Sequence, residues 1–279
     1  MSTPVHSPAR PFVGRARELA ALEAGWRKKG GAFVPIYGRR RVGKSELIRH
    51  FVTDKPAIYH VGNLAPAALQ IREFMSQAAR VLDEPLLAQV ATADWRQALE
   101  AVDARWKGTG KLVIALDEFQ WTAGASPELP SLLQELWDRR WQHGRVMLIL
   151  CGSFVGFMER EVLGAKSPLF GRRTAQIQLA PFGFREAAAF HPHWSRADQA
   201  RLWFLVGGVP AYLRAFDADA SVDQGLAATL LSELAPLYRE PEFLLRRRVQ
   251  PGRPERRRCP GRCGSPARGI AGAGGRAYE

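Results

Sequence analysis

Residues Gly38-Arg39-Arg40-Arg41-Val42-Gly43-Lys44-Ser45 follow the pattern G-x-x-x-x-G-K-[ST], whose chemistry is the holding of phosphate. Glycines let a backbone wrap an anion closely where a Cβ atom would obstruct it. The N–H groups of such a loop, and of the helix that follows, supply positive potential. Lys44 is then spaced to reach the β- and γ-phosphates of a nucleotide as a point charge, and the Ser45 hydroxyl to ligate Mg2+. Because a glycine-rich turn can match by chance, the pattern needs a second half. Asp117-Glu118, about seventy residues further on, supplies it. Asp117 suits holding Mg2+ through its water shell, and Glu118 suits orienting and deprotonating an attacking water. A solvated acidic turn is the plain alternative, which the pairing with the loop weakens.

These residues need a particular scaffold. The run Phe33–Tyr37 is apolar and β-prone, and Leu47, Ile48 and Phe51 recur on one helical face after the loop, which gives strand, loop and helix in order. After Lys111, Leu112–Leu116 is a continuous apolar run, the pattern of a strand buried on both faces of a parallel sheet, and the carboxylates that follow emerge at the C-terminal edge where ligands bind. Further strands are expected at 57–61, 146–150 and 177–179 and helices at 67–82, 94–107 and 129–143, while 11–26 opens extended and turns helical, with Leu19, Leu22 and Trp26 at helical spacing. From Phe184 to Ala235 the pattern is helical, with Ser195 spaced to cap a helix and a sharp break at Gly207-Gly208-Val209-Pro210.

Two further candidates follow from position. Ser153, at the tip of the strand after the acidic one, can sense a γ-phosphate, or it can cap a helix. Arg172 and Arg173, in a loop before the last strand, can neutralise transition-state charge in cis or from a neighbouring subunit, or form a solvated basic loop. His191 and His193 lack the spacing of a metal pair and suit a surface turn. Cys151 suits a small buried thiol, while Cys259 and Cys263 do not make a zinc pattern.

The 279 residues, 46% hydrophobic and 24% charged, describe an ordinary globular chain with room for a substantial core. No apolar run approaches the roughly 20 residues of a membrane helix, and the N-terminus lacks an apolar signal segment. The expectation is therefore a cytoplasmic protein with no membrane partner. Of the net charge of +13, residues 246–279 carry +8, from ten arginines and two glutamates, which leaves +5 for the rest.

In their order and spacing, FVGRARELAAL, YGRRRVGKSELI, LDEFQW, ILCGS, SPLFGRRTAQI, LAPF and VGGVPAYL resemble the archaeal-type P-loop ATPases, relatives of the AAA+ and STAND classes. The likeness runs from Phe12 to about Leu245. It implies an α/β fold: an ASCE-type P-loop NTPase core of five parallel strands flanked by helices over residues 11–182, with a strand inserted between the Walker A and Walker B strands. A small helical lid over residues 183–245 would follow. It also implies ATP and Mg2+. Walker A falls on Gly38 to Ser45, so that Arg39, Arg40, Arg41, Val42, Gly43, Lys44 and Ser45, with Glu46 behind them, face the nucleotide. Walker B falls on Asp117 and Glu118, the sensor on Ser153, the arginine fingers on Arg172 and Arg173, and the lid motif on Gly207, Gly208 and Pro210. Val13 and Gly14 would lie against the adenine.

The activity implied is ATP hydrolysis driving a conformational switch. A P-loop kinase with an unknown acceptor, or the ATPase module of a DNA-handling protein, is the alternative. Arginine fingers acting in trans would need a homo-oligomer. Family members usually continue into a winged-helix domain, through which a DNA or protein partner would act. Here the likeness stops at Leu245, and residues 246–279 contain Arg, Gly, Pro, Cys and Ala but no lysine. The composition is that of a GC-rich gene read out of frame, so a frameshift near codon 246 is expected. A genuine disordered basic tail that binds nucleic acid is the competing reading. Residues 1–10 are expected to be disordered as well.

Overall fold

The computed structural model describes residues 11–89, 92 and 94–242. The expectations for residues 1–10 and 246–279, and the last residues of the expected lid, lie outside the described residues. After helix α1 (Ala16–Arg27) come strand β1 (Ala32–Tyr37), helix α2 (Lys44–Phe51), strand β2 (Ala57–Val61) and helices α3 (Ala67–Val81) and α4 (Trp95–Arg105). Strand β3 (Leu112–Asp117), helices α5 (Phe119–Ala125) and α6 (Leu129–Leu136), strand β4 (Val146–Gly152), the short helix α7 (Val155–Phe157) and strand β5 (Ile177–Gln178) complete the sheet layer. Four short helices follow: α8 (Phe184–Ala188), α9 (Arg196–Val206), α10 (Pro210–Leu213) and α11 (Val222–Leu226).

The five strands form one parallel sheet in the order β2-β3-β4-β1-β5. β4 thus lies between the strand that ends at the glycine loop and the strand that ends in the carboxylates, as the family resemblance implied. Every residue of β1, β3 and β4 is buried, because helices cover both faces and leave no alternation to a solvated side. One face packs Phe33, Ile114, Leu148 and Leu150 against α3, α4 and α6, and the other packs Val34, Ile36, Val113 and Ile149 against α1 and α2.

The edge pairing is short for a reason visible in β1. Phe33 and Tyr37 direct their carbonyls toward the β5 side, to Thr174 and Leu179. By the two-residue repeat of a strand, Pro35 faces that side too, and proline has no N–H to give. β5 accordingly pairs with β1 only at Ile36 and Tyr37. Lys111 ties α1 to the sheet by donating to the carbonyls of Gly25 and Trp26 at 2.8 and 2.7 Å, and to that of Lys28. It thereby satisfies acceptors that a helix C-terminus leaves open.

Three local readings differ from the sequence expectation. The helix expected over 129–143 is α-helical only to Leu136 and then widens into a π turn, Trp137–Trp141, that buries both tryptophans. Helix α5 and the helical turns of 155–163 were not expected. His191, expected on a surface turn, is buried; it bonds through Nε2 to the Leu213 carbonyl at 2.9 Å and stacks on Trp194. Cys151 is buried, as expected. Among the described residues no helix is long and apolar enough to cross a membrane.

Candidate functional site

The loop between β1 and α2 is built on two glycines with left-handed backbone, Gly38 (φ 151°) and Gly43 (φ 91°), and on Arg41 (φ 68°). A Cβ on Gly38 would run into the Leu179 carbonyl, so the β1 exit and the segment after β5 pass as close as two backbones can. Gly43 opens α2, and Pro210 lies over it. Lys44 is buried, and its Nζ donates to the Gly38 and Arg39 carbonyls at 3.0 and 2.9 Å. Burial lowers its pKa, while Cys151, Glu118 and Asp117 pull in the opposite sense. Val42 is buried, and the side chains of Arg39, Arg40 and Arg41 are exposed.

The acidic half is assembled from three adjacent strands. Asp117, buried at the end of β3, accepts the Glu118 N–H at Oδ1 (2.9 Å) and the Tyr59 hydroxyl at Oδ2 (2.5 Å). Tyr59 comes from β2. Burial first, and Asp117 second, hold its phenol above the usual range. Glu118 has left-handed backbone (φ 48°). Its Oε2 accepts from the Ser153 hydroxyl at 2.7 Å and from the Gln120 amide. Ser153 is carried by the end of β4, so this carboxylate is held by a strand neighbour and a helix neighbour at once. Burial pushes the Cys151 thiol well up and keeps it neutral beneath the loop.

Between these halves lies a cleft of about 450 Å³ lined by Arg40, Arg41, Lys44, Arg49 and Arg214, by Glu46 and Glu118, and by Gly43, Ser45, Pro210 and Ala211. Five cationic side chains against two carboxylates suit a polyanion. The segment after β5 closes one wall by polar contacts. Arg214 is paired with Glu46, with one bond at 2.7 Å. Arg41 is paired with Glu240 at 2.8 Å, and the Tyr212 hydroxyl donates to the same carboxylate. Gly208 packs directly on the Phe182 backbone, whose N–H donates to the Gly208 carbonyl at 2.7 Å.

Several expected residues stand elsewhere. Arg172 makes a two-pronged pair with Asp138, at 2.8 Å from Nε and from Nη2, and Arg173 is exposed beside the Phe170 ring. Neither lines the cleft. Gly14 (φ 68°) lies against the Phe182 ring, and its neighbour Val13 is half-buried. The sequence reading also passed over Arg15, which is buried with left-handed backbone, lies over the Phe182 ring, and donates to the carbonyls of Val42 and Ala180 at 2.9 and 2.8 Å. It splices the N-terminal box to the phosphate loop. Tyr59, Gln120 and Arg214 were passed over as well.

Residues 12–216 match the family described as an ATPase domain predominantly from Archaea. The chain belongs to that family. It therefore carries a nucleotide-binding domain of the ATPase type. A relative in Methanocaldococcus jannaschii, the uncharacterized protein MJECL04, is 31% identical over 202 residues, 72% of this chain and 43% of the relative. The chain thus spans under half the length of that relative. Among solved structures, the Walker-type ATPase PABY2304 of Pyrococcus abyssi superposes with a TM-score of 0.63 at 20% identity, over 85% of this chain and 77% of the other. The ORC2 protein of Aeropyrum pernix, solved as ADPNP and ADP complexes, gives 0.52 at 19% identity, over 75% and 62%. At these identities the two structures speak for the fold.

Proposed function

We propose that the domain binds ATP with Mg2+ and hydrolyses its β–γ phosphoanhydride, using water as the acceptor, to drive a change of conformation. The observation that carries the reading is the convergence of Lys44, Ser45 and Glu118 on one cationic cleft at the C-terminal edge of the sheet. Lys44 exchanges the Gly38 and Arg39 carbonyls for β- and γ-phosphate oxygens, and the loop amides hold the remaining anionic oxygens. Burial lowers the pKa of Lys44, and the Glu118 and Asp117 carboxylates favour its ammonium form.

The residues present fit Mg2+. Among the described residues no group of three or more His, Cys, Asp or Glu could cage a metal, and Mg2+ seldom uses such a cage. It takes one or two oxygen ligands from the protein, keeps waters, and takes the rest from phosphates. The Ser45 hydroxyl and the buried Asp117 carboxylate are hard oxygen donors of that kind, and the ion supplies charge neutralisation on the phosphates. Glu118 orients the attacking water and takes its proton, and the Ser153 and Gln120 bonds fix where its carboxylate stands before nucleotide arrives. Arg40 and Arg214, which line the cleft, are better placed in this arrangement than Arg172 or Arg173 to meet phosphate charge. For Arg172 to act as a finger, its pair with Asp138 must first open. Residues 184–242 serve as the lid.

ADP release from Mg2+-ATP without any added acceptor tests the reading, run beside Glu118→Gln. The wild type is expected to turn over, and the variant to bind ATP but lose about 100-fold or more in rate. Normal hydrolysis by Glu118→Gln removes Glu118 from its role. Tight ATP binding with no ADP from the wild type removes water as the acceptor.

A further inference from the structure

The phenol of Tyr59 belongs to the acidic half, yet it comes from neither the phosphate loop nor the acidic strand end. It stands on β2, whose Val61 pairs with Asp117 of β3, so the tyrosine reaches forward along the sheet edge to the carboxylate. Its hydroxyl meets Asp117 Oδ2 at 2.5 Å. An ionised carboxylate only accepts, so the phenol proton must point at Asp117. The other Asp117 oxygen is taken by the Glu118 N–H at 2.9 Å, so the carboxylate is fixed in rotation as well as in place.

We infer that Tyr59 is a positioning residue for the cation: its hydroxyl orients Asp117, which receives Mg2+ with the nucleotide. The inference rests on the metal role given to Asp117 above. Tyr59 itself touches neither nucleotide nor ion. Partners that orient a metal's ligands without touching the metal are commonly worth about 10- to 100-fold in metal affinity.

The test is the affinity of the full chain for a fluorescent ADP analogue, measured with Mg2+ and again with EDTA, for the wild type and Tyr59→Phe. The variant removes one oxygen and keeps the ring. The wild type is expected to bind more tightly with Mg2+ than with EDTA. Tyr59→Phe is expected to lose about 10-fold or more of the Mg2+-bound affinity, while its affinity in EDTA and its melting temperature without nucleotide stay at wild-type values. A hydroxyl that merely holds the fold would lower both affinities together, and that result overturns the inference. Full retention of the Mg2+ gain by Tyr59→Phe overturns it too and leaves the metal role of Ser45 and Asp117 standing. A wild type that gains nothing from Mg2+ overturns both.

Discussion

The sheet and the helical segment that follows it are held by different forces. In the sheet, β1, β3 and β4 are buried along their whole length and the two faces carry separate, extensive apolar clusters. The segment from residue 184 has one small cluster, formed by Phe182, Ala187, Leu202, Leu213 and Phe216, and it leaves Phe204, Leu205, Leu231 and Leu234 exposed. Its attachments near the cleft are polar: Arg214 to Glu46, and Arg41 and Tyr212 to Glu240. Apolar burial is strong, roughly additive in area, and hard to reverse piecemeal. Half-exposed ion pairs are weak, screened and easily exchanged. Asp117 and Glu118 thus stand on the tightly packed part, while the cleft's outer wall is joined to it by contacts that a polyphosphate can compete for.

The sharpest way to break this contrast is to make the same truncation on both sides. Ile149→Ala empties a site at the centre of the sheet and should cost about 2–5 kcal/mol of global stability, read from urea unfolding, with loss of nucleotide binding in parallel. Leu213→Ala removes comparable side-chain volume from the small cluster. It should raise amide hydrogen exchange in α8 to α11 and leave the amides of β1, β3 and β4 at wild-type protection. Equal loss of protection in the strands would show that sheet and segment form one cooperative unit.

A smaller effect, which depends on pH, belongs to the sheet side. His60 on β2 is fully buried beside the Phe74 and Trp95 rings, and among the described residues neither ring nitrogen has a hydrogen-bond partner. Burial lowers its pKa from the usual 6.5, with Gln70 and Glu73 opposing. In the window from 6.5 down to that lowered value, the unfolded chain binds a proton that the fold excludes. The proton-linked cost of His60 is therefore absent well above pH 6.5 and makes stability fall as the pH drops below it. His60→Phe should flatten that part of the profile, measured by urea midpoints above and below pH 6.5. An unchanged acid slope would mean that His60 is charged in the fold.

What was legible in the sequence follows the same division. The phosphate loop is contiguous, so its chemistry shows in eight consecutive residues, and strands buried on both faces show as apolar runs. The acidic half was readable at Asp117 and Glu118, which are adjacent in sequence, and at Ser153 from its place at a strand tip, but its contacts were not. Tyr59 and Ser153 reach that corner from neighbouring strands, 58 and 35 residues away from their partners, and no periodicity within β2 marks Tyr59 as different from its neighbours. Arg15 was visible inside a quoted box, but only its positive φ and its two distant carbonyl partners give it a role. Arg172 was singled out by position in its loop, yet a partner on a different helix, Asp138, decides where its charge goes. The π turn at Trp137–Trp141 was hidden because apolar spacing is the same for a helix that widens by one residue as for one that ends.

The smallest expected effect tests the wall of the cleft. Glu46→Gln keeps the size of the side chain and removes the charge facing Arg214, and Glu240→Gln does the same for Arg41. Each pair is partly exposed, so solvent and salt already screen much of its attraction, and each substitution should cost under about 1 kcal/mol at low salt and less at high salt. Because both arginines line the cleft, freeing them from carboxylates should at the same time tighten nucleotide binding, and this opposite sign separates a weak latch from a structural strut. Thermal unfolding and nucleotide titration of the two variants at low and high salt read both quantities. A loss of several kcal/mol on either substitution, together with weaker binding, would mean that the segment is built into the fold as firmly as the sheet, and the contrast between the two regions would fail.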